Sequence, residues 1–319
     1  MTVRFDRYID RLLVFPGFPG IPEMPFAVRT LTDFLARVQE TPFDLAIQMH
    51  GSGVYSNLFT VLLGARRNAG FYLPGSYCAD PSSFLPYPAG EPEVRRHLLL
   101  MQFLGFSLRG EALEFPLRES DRVDAAALSE EAGGLAPGNY VCIHPGASVP
   151  SRRWRPEYFA AVADGLAGQG LQVVLTGSSD EIPITAAVKG AMHGPAIDLA
   201  GRTRLGVLAA LLTGARLLVC NDTGVSHLAA ALQTPSLVIF LTSDPQRWAP
   251  LDEVRHRRLG WPDLGGRESG RALPPAQPCP DPNGEPAAEV AETGSVPPAT
   301  PRYALEVCRS LLLSTRSQS

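Results

Sequence analysis

The sequence has few of the features that mark secreted, membrane-spanning or nucleic-acid-binding proteins. Its five cysteines are an odd number at irregular spacing, which fits neither a disulfide framework nor a CxxC metal pattern. Lys189 is the only lysine and the arginines are scattered, so no nucleic-acid partner is expected. No stretch reaches the roughly 18 apolar residues of a membrane span, and the charged N-terminus lacks a signal-peptide pattern. We therefore predict a cytoplasmic protein with reduced cysteines.

The composition is that of a folded protein with a sizeable core. The chain has 319 residues, of which 45% are hydrophobic and 19% charged, and its formal net charge is −4. This length corresponds to about two domains by the usual range of domain sizes. Apolar patterning divides the chain into two α/β regions, one more regular than the other.

Residues 139–252 show the more regular alternation. Short apolar runs predict strands at 140–144, 171–176, 196–199, 216–220 and, as the last strand, 236–240. Helices are predicted between them at 156–166, 182–192, 205–212 and 224–232. This order predicts a doubly wound parallel sheet, a Rossmann-like domain.

The first half of the chain is less complete. Its first twenty residues carry too many prolines and glycines for an opening strand. Helices are predicted at 24–39, after the turn at 50–53, and at 93–106, and strands are predicted at 43–49 and 68–73, so only two or three strands are found. We expect 1–125 to form a partial α/β domain, which lacks its opening strands, and 126–138 to form a linker. A Pro/Gly-rich loop at 253–301 and a closing helix at 302–315 complete the predicted organisation.

The turn after the strand at 216–220 has the features of an anion site. Asp222 and Thr223 are favourable helix N-caps, and Gly224 carries no side chain that would keep a ligand from the backbone. The free N–H groups and positive dipole end of the following helix favour a phosphate. His227 lies one helical turn after Thr223, on the same face. An ordinary capped turn between a strand and a helix is the structural alternative.

Three further polar turns are predicted at the same edge of the sheet. They follow other strands at 144–148, 176–181 and 200–203, and each contains glycine. Ligands of doubly wound sheets bind at the carboxyl ends of the strands. The structural alternative is that the glycines only permit tight turns. This would explain each turn by itself, but it would not explain why all four lie at the same edge of the sheet.

Five motifs in order resemble those of the heptosyltransferase-like glycosyltransferases, GT-B enzymes related to the ADP-heptose:lipopolysaccharide heptosyltransferases. The resemblance is strong from about residue 140 to 240 and weak elsewhere. The motifs are His144-Pro-Gly-Ala-Ser148, Arg153-Trp154-x-Pro156, Leu175-Thr-Gly-Ser-x-x-Glu181, Leu199-Ala-Gly-Arg-Thr203 and Asn221-Asp-Thr-Gly-x-Ser-His227.

The resemblance implies a two-domain GT-B protein that binds a nucleotide-sugar donor, with ADP as the expected nucleotide and heptose as the expected sugar. The implied acceptor is lipopolysaccharide core or another envelope glycan, which would bring the protein to the inner face of the cytoplasmic membrane. Neither a cofactor nor a metal is implied. The residues implied in donor binding are His144, Gly146, Ser148, Arg153, Thr176, Gly177, Glu181, Asp222, Thr223, Gly224, Val225, Ser226 and His227.

Several of these roles have a structural alternative. In the family a basic residue, usually lysine, precedes the tryptophan, and it would neutralise the leaving diphosphate. Arg152 matches this residue, and Arg153 is the alternative match. Asp222 would orient the turn or the donor sugar, or act as a plain N-cap. Glu181 would lie near the ribose or base, or serve as a carboxylate at a helix N-terminus. His144 would bind donor or pack within its strand.

The implied reaction is inverting glycosyl transfer, in which a carboxylate takes the proton of the acceptor hydroxyl. The family's aspartate base lies in a Leu-Gly-Asp-like loop that this sequence does not contain. His50, beside Gln48 and Ser52 at the acceptor-side edge, is a substitute candidate, with an ordinary loop histidine as the alternative. Two hypotheses follow: an active sugar transferase, or an inactive remnant that binds sugar nucleotides.

Overall fold

The computed structural model describes residues 2–5, 8–260 and 300–314. A short 3-10 turn at Thr2–Phe5 precedes an irregular segment, as the sequence predicts. The elements of the first half are α1 (Val28–Gln39), β1 (Leu45–Ile47), α2 (Ser56–Leu62), β2 (Arg67–Tyr72), β3 (Phe84–Pro86), α3 (Glu93–Phe103) and α4 (Glu119–Glu131).

The first half contains a parallel sheet with the order β1-β2-β3. Leu45 pairs with Arg67, and Gly70 pairs with Phe84. Strand β3 is not evident from the sequence, because it has three residues and ends at Pro86, a residue that rarely continues a strand.

Helix α4 is not evident from the sequence either. It runs across the boundary placed at residues 125 and 126, and it covers the first part of the segment predicted as a linker. The Asp121 side chain accepts the N–H of Arg118, which completes a capping box at its N-terminus. Its buried apolar residues are only Ala125 and Leu128, so the helical pattern is weak in the sequence.

The second half contains β4 (Tyr140–His144), α5 (Pro156–Ala167), β5 (Gln172–Leu175), α6 (Ile182–Ala191), β6 (Ile197–Asp198), α7 (Leu205–Gly214), β7 (Leu217–Asn221), α8 (Gly224–Ala231), β8 (Ser236–Phe240), α9 (Pro245–Trp248), β9 (His256–Gly260) and α10 (Pro301–Ser314). The predicted strands and helices of this half are therefore confirmed, with ends that differ by a few residues. The closing helix is confirmed as α10.

The six strands of this half form a parallel sheet with the order β6-β5-β4-β7-β8-β9. Counted from β4, this is the 3-2-1-4-5-6 order of the doubly wound fold, in which the order reverses between β4 and β7. Side chains alternate between the two faces: Val141 and Ile143 pack with α5 and α10, whereas Tyr140 and Cys142 face α4 and α7. Helices therefore cover both faces, and β4, β7 and β8 are buried along their length.

Two expectations for the end of the sheet are corrected. The strand Ser236–Phe240 is not the last, because β9 pairs with β8 from Ser236↔His256 to Phe240↔Gly260. The predicted loop at 253–301 thus begins with a strand. That strand was missed because two exposed arginines, Arg257 and Arg258, occupy its centre, so it lacks an apolar run. Residues 261–299 of that loop lie outside the described residues.

The cysteines in the described residues are free, and Cys142 and Cys220 are buried in β4 and β7, as predicted. Burial raises the pKa of the Cys142 thiol to about 12. None of the described helices combines the length and apolar character that a membrane span requires.

Candidate functional site

The carboxyl ends of β4 and β7 lie side by side, with His144 in register with Cys220. Because the strand order reverses between these two strands, the helices that follow them leave on opposite faces and open a crevice. The strand ends carry the first and the last of the four polar turns predicted from the sequence. The fold therefore places both turns at the position where such sheets bind ligands.

Asn221, the last residue of β7, ties three segments of this edge together. Its Oδ1 accepts the backbone N–H of Trp154 at 3.0 Å, and its Nδ2 donates to the carbonyl of Pro145 at 2.7 Å. The side chain is fully buried. Asn221 thereby fixes the turn after β4 and the segment before α5 against the turn after β7. Its motif was quoted from the sequence, but its own role was missed, because these bonds depend on the tertiary fold.

Asp222 follows as a buried carboxylate at the edge of the crevice. Its Oδ2 accepts the hydroxyl of Ser243 and lies 3.4 Å from Nη1 of Arg152. It is not the helix N-cap, since α8 has Thr223 in that position. The plain N-cap interpretation of Asp222 is therefore wrong. Its partner Ser243 lies 21 residues further along the chain, where no local sequence pattern indicates it.

The N-terminus of α8 presents backbone donors. Within the described residues, the N–H groups of Thr223, Gly224 and Val225 donate to no acceptor, and the Thr223 side chain makes no capping bond. A Cβ on Gly224 would meet nothing within 4 Å, so open space lies above this backbone. Ser226 differs, because both its N–H and its hydroxyl bond back to the Thr223 carbonyl. Its contribution is to shape the turn.

His227 stands one turn further along α8. Burial lowers its pKa below the usual range, and the nearby Asp222 carboxylate opposes that shift in part. The imidazole is therefore neutral near pH 7, with one N–H to donate and one nitrogen to accept. A neutral donor next to free backbone N–H groups suits a phosphate oxygen.

A second cluster surrounds His144 at the ends of β4 and β5. His144 Nδ1 lies 3.0 Å from the hydroxyl of Thr176, and its Nε2 lies 3.8 Å from Oε2 of Glu181. Burial lowers the pKa of His144, against the opposing influence of Glu181. The ring of His144 is buried, as the strand-packing alternative expects. The same ring also borders the predicted site, so the alternative describes only part of its environment.

Glu181 is held by the protein from two directions. Its Oε2 accepts the N–H of Ser178 at 2.8 Å in a capping box before α6, which is the helix-terminal role given as its alternative. Its carboxylate also packs against Gly146, where a Cβ would come within 2.0 Å of Oε1. Gly146 is therefore needed for the approach of Glu181 to the turn after β4.

The two neighbouring arginines point to different partners. Arg152 reaches Asp222, while Nε of Arg153 donates to the carbonyl of Ala147 at 2.8 Å. Arg153 thus braces the turn after β4, and Arg152 supplies the charge beside α8. Ser148 is exposed on that turn, and the carbonyl of Gly177 accepts the N–H of Gly201, which brings the second and third turns together.

On the first half of the chain, the predicted acceptor-side residues lie after β1. Gln48 is buried and bonds to Ser56 and to the carbonyl of His50, so it supports the loop. The exposed imidazole of His50 lies 2.8 Å from the Glu23 carboxylate. Glu23 was not singled out in the sequence, since it lies far from His50 along the chain.

The family model described as glycosyltransferase family 9 (heptosyltransferase) matches residues 32–258. This match covers more than half of the chain, and it extends from within α1 into β9. The chain belongs to glycosyltransferase family 9. The resemblance drawn from the five motifs is thereby confirmed.

Curated members of the family match parts of the chain. Lipopolysaccharide heptosyltransferase 3 of Escherichia coli (strain K12) is 36% identical over 118 residues, which are 36% of this chain and 34% of that protein. Lipopolysaccharide heptosyltransferase 1 of Pseudomonas aeruginosa (strain PAO1) is 30% identical over 222 residues, which are 66% of this chain and 58% of that protein. The chain spans about a third of the length of most of these family 9 relatives.

Solved structures share the fold. The glycosyl transferase family 9 protein of Veillonella parvula DSM 2008 superposes with a TM-score of 0.63 at 21% identity, over 75% of this chain and 70% of that one. The E. coli ADP-heptose lipopolysaccharide heptosyltransferase II also gives a TM-score of 0.63 at 21% identity, over 92% and 83%. The predicted α/β architecture of GT-B type is confirmed.

Proposed function

We propose that this family 9 protein is an inverting glycosyltransferase that moves heptose from ADP-heptose to lipopolysaccharide core or another envelope glycan. The observation that carries the proposal is the turn at 222–227, where free backbone N–H groups and His227 converge at the topological switch point of the sheet. The names of the relatives specify heptose and lipopolysaccharide. An ADP-linked donor follows from the name of heptosyltransferase II.

The diphosphate is assigned to the N-terminus of α8. The N–H groups of Thr223, Gly224 and Val225 would bind its oxygens, and the helix dipole favours negative charge there. Arg152, already paired with Asp222, would stabilise the charge that grows on the leaving ADP. Protein groups alone can supply this stabilisation, so the proposed reaction requires no metal.

The nucleoside is assigned to the cluster at the ends of β4 and β5. His144, Thr176 and Glu181 lie together there, next to the glycine-containing turns. Glu181 would accept ribose or base donors with its remaining lone pairs, because Ser178 occupies only one direction of the carboxylate. Ser148 and Gly177 border the same space.

The acceptor is assigned to the first half of the chain, along the loop that carries His50. The reaction needs a group that takes a proton from the acceptor hydroxyl. We propose His50 for this role, with its ring oriented by the Glu23 carboxylate at 2.8 Å. Because the names of the relatives specify lipopolysaccharide, an acceptor that carries a lipid, we propose that the protein works at the inner face of the cytoplasmic membrane.

Titration of the protein with ADP by calorimetry tests the donor site. We expect ADP to bind, and we expect His227→Ala to weaken binding by about tenfold, the effect of losing one hydrogen bond to a charged group. Arg302→Gln, on the exposed pair with Glu306 in α10, is the matched control. If ADP does not bind at millimolar concentration, the proposal is wrong.

A transfer assay with ADP-heptose and purified lipopolysaccharide core tests the reaction. Release of ADP that depends on the acceptor supports the transferase. Binding of ADP without any release would instead favour the second hypothesis, a sugar-nucleotide-binding protein without activity.

A further inference from the structure

A salt bridge joins the two halves of the protein beside the donor edge. Nε of Arg247, in α9, lies 2.8 Å from Oε2 of Glu93, the first residue of α3. The two side chains are 34% and 20% exposed, so the pair is partly shielded from solvent. Such shielding makes an ion pair stronger than one on the open surface.

The first half holds Glu93 rigidly through a buried arginine. Arg96 is 1% exposed, and its guanidinium also donates to Glu93 Oε2. The same guanidinium donates to the hydroxyl of Tyr87 at 2.6 Å and to the carbonyl of Glu91 at 2.8 Å, and it lies over the Tyr87 ring. Glu93 therefore presents its carboxylate to the second half in one fixed position.

In the second half, a short segment of chain links Arg247 to the donor turn at 222–227. The guanidinium of Arg247 lies over the ring of Trp248, at 4.5 Å from the centroid. Asp244 caps this short helix by accepting the N–H of Gln246 at 2.8 Å. Ser243, the preceding residue, donates to Asp222. The hydroxyl that holds Asp222 and the guanidinium that holds Glu93 thus belong to the same compact segment, residues 243–248.

Helix α3 also touches the acceptor-side loop. His97 lies one helical turn after Glu93, hence on the same face of α3. Its Nε2 is 2.9 Å from the carbonyl of Met49, the residue before His50. One face of α3 therefore contacts the segment that holds Asp222 and the loop that carries His50.

We propose that Glu93 and Arg247 are positioning residues, which set the distance and orientation between the donor turn and the acceptor-side loop. The pair touches neither Asp222 nor His50 directly; it acts through the segment 243–248 and through α3. The consequence for transfer rests on the proposed function, since a shift of about 1 Å between reacting groups costs up to a hundredfold in rate. The structural link itself does not depend on that function.

Hydrogen–deuterium exchange of the full chain tests the link directly. Arg247→Met removes the charge and keeps much of the side-chain length, whereas Glu93→Gln is avoided because it would leave the buried Arg96 without its anion. We expect Arg247→Met to accelerate exchange severalfold in the peptides that cover 243–249 and 93–97. The control is Arg66→Met, which breaks the exposed Arg66–Asp44 pair before β1 and β2. Unchanged exchange in both peptides would overturn the proposal.

Kinetics then separate positioning from binding. We expect Arg247→Met to lower kcat of heptose transfer by roughly tenfold or more, with the ADP dissociation constant within about twofold of the wild type. Arg247→Lys keeps the charge and restores part of the rate. Equal losses of ADP affinity and rate would place Arg247 in donor binding and refute the positioning role. If the wild-type protein transfers no sugar, the proposed function fails, and the exchange experiment alone decides whether the link exists.

Discussion

The guanidinium of Arg152 lies 3.4 Å from the carboxylate of Asp222, at the mouth of the crevice between β4 and β7. This pairing gives the buried carboxylate a counter-charge next to the N-terminus of α8. A diphosphate at that terminus would otherwise meet an uncompensated anion. The pair therefore makes this edge of the sheet compatible with a negatively charged ligand.

Replacement of Arg152 tests this electrostatic arrangement. We expect Arg152→Met to weaken ADP binding by about tenfold or more, because it removes a cation from the diphosphate and leaves Asp222 without its counter-charge. Calorimetric titration at low salt measures the effect. Arg155→Met, an exposed arginine three residues further along, is the matched control. Equal affinity of Arg152→Met and the wild-type protein would contradict the assignment.

A substitution at Gly224 can test ligand contact without disturbing the fold. In the structure a Cβ at this position meets nothing, and Gly224 does not adopt a positive φ, so the fold itself does not require glycine. We expect Gly224→Ala to leave stability unchanged or raise it by up to about 1 kcal/mol, while ADP affinity falls by about tenfold because the methyl group would occupy the proposed diphosphate position. Gly190→Ala, also in open space within a helix, is the control. Full ADP affinity in Gly224→Ala would show that no ligand approaches this backbone.

Asn221 is expected to act through stability. Asn221→Ala leaves the N–H of Trp154 and the carbonyl of Pro145 buried without their partner. We expect a loss of about 2–4 kcal/mol in the free energy of unfolding, measured by urea denaturation. Asn139→Ala, at an exposed site, should change it by less than about 0.5 kcal/mol. Comparable small losses in both variants would argue against the tying role of Asn221.

His256 gives the protein a predictable acid sensitivity. Burial is the main cause that lowers its pKa from 6.5 to about 4; Arg255 and His227 contribute to this shift, and the Asp252 carboxylate opposes it. Between these two values the unfolded chain binds a proton that the folded chain does not, so stability falls as pH falls from about 6.5 to about 4. The burial-lowered pKa values of His144 and His227 act in the same direction.

Urea denaturation at pH 7 and pH 4.5 measures this sensitivity. We expect His256→Gln, which can keep the hydrogen bond to Ser236, to lose roughly 2 kcal/mol less than the wild-type protein over this range. His193→Gln removes an exposed imidazole and should change the difference much less. If the wild-type protein and His256→Gln lose equal stability, His256 is not the group responsible.

The site was predictable from sequence to the extent that its parts are local. A strand, a polar turn and a helix follow one another within 217–231, and the apolar periods and the glycine that mark them are adjacent in the chain. The partners of these residues were not predictable. Ser243 reaches Asp222 across 21 positions and Glu23 reaches His50 across 27, and no local pattern connects them.

The sequence by itself determined the doubly wound second half, because burial on both faces of a parallel sheet produces continuous apolar runs. The family followed from a different signal, the resemblance of five ordered motifs between residues 144 and 227. Only the tertiary structure showed that Arg152 reaches Asp222 while Arg153 bonds to the carbonyl of Ala147, and that Thr223 and not Asp222 is the N-cap of α8. It also showed strand β9, which lacks an apolar run because Arg257 and Arg258 are exposed at its centre, and the contact between Glu93 and Arg247. These features depend on which distant segments the packing brings together, and the chemistry of a single residue does not encode that choice.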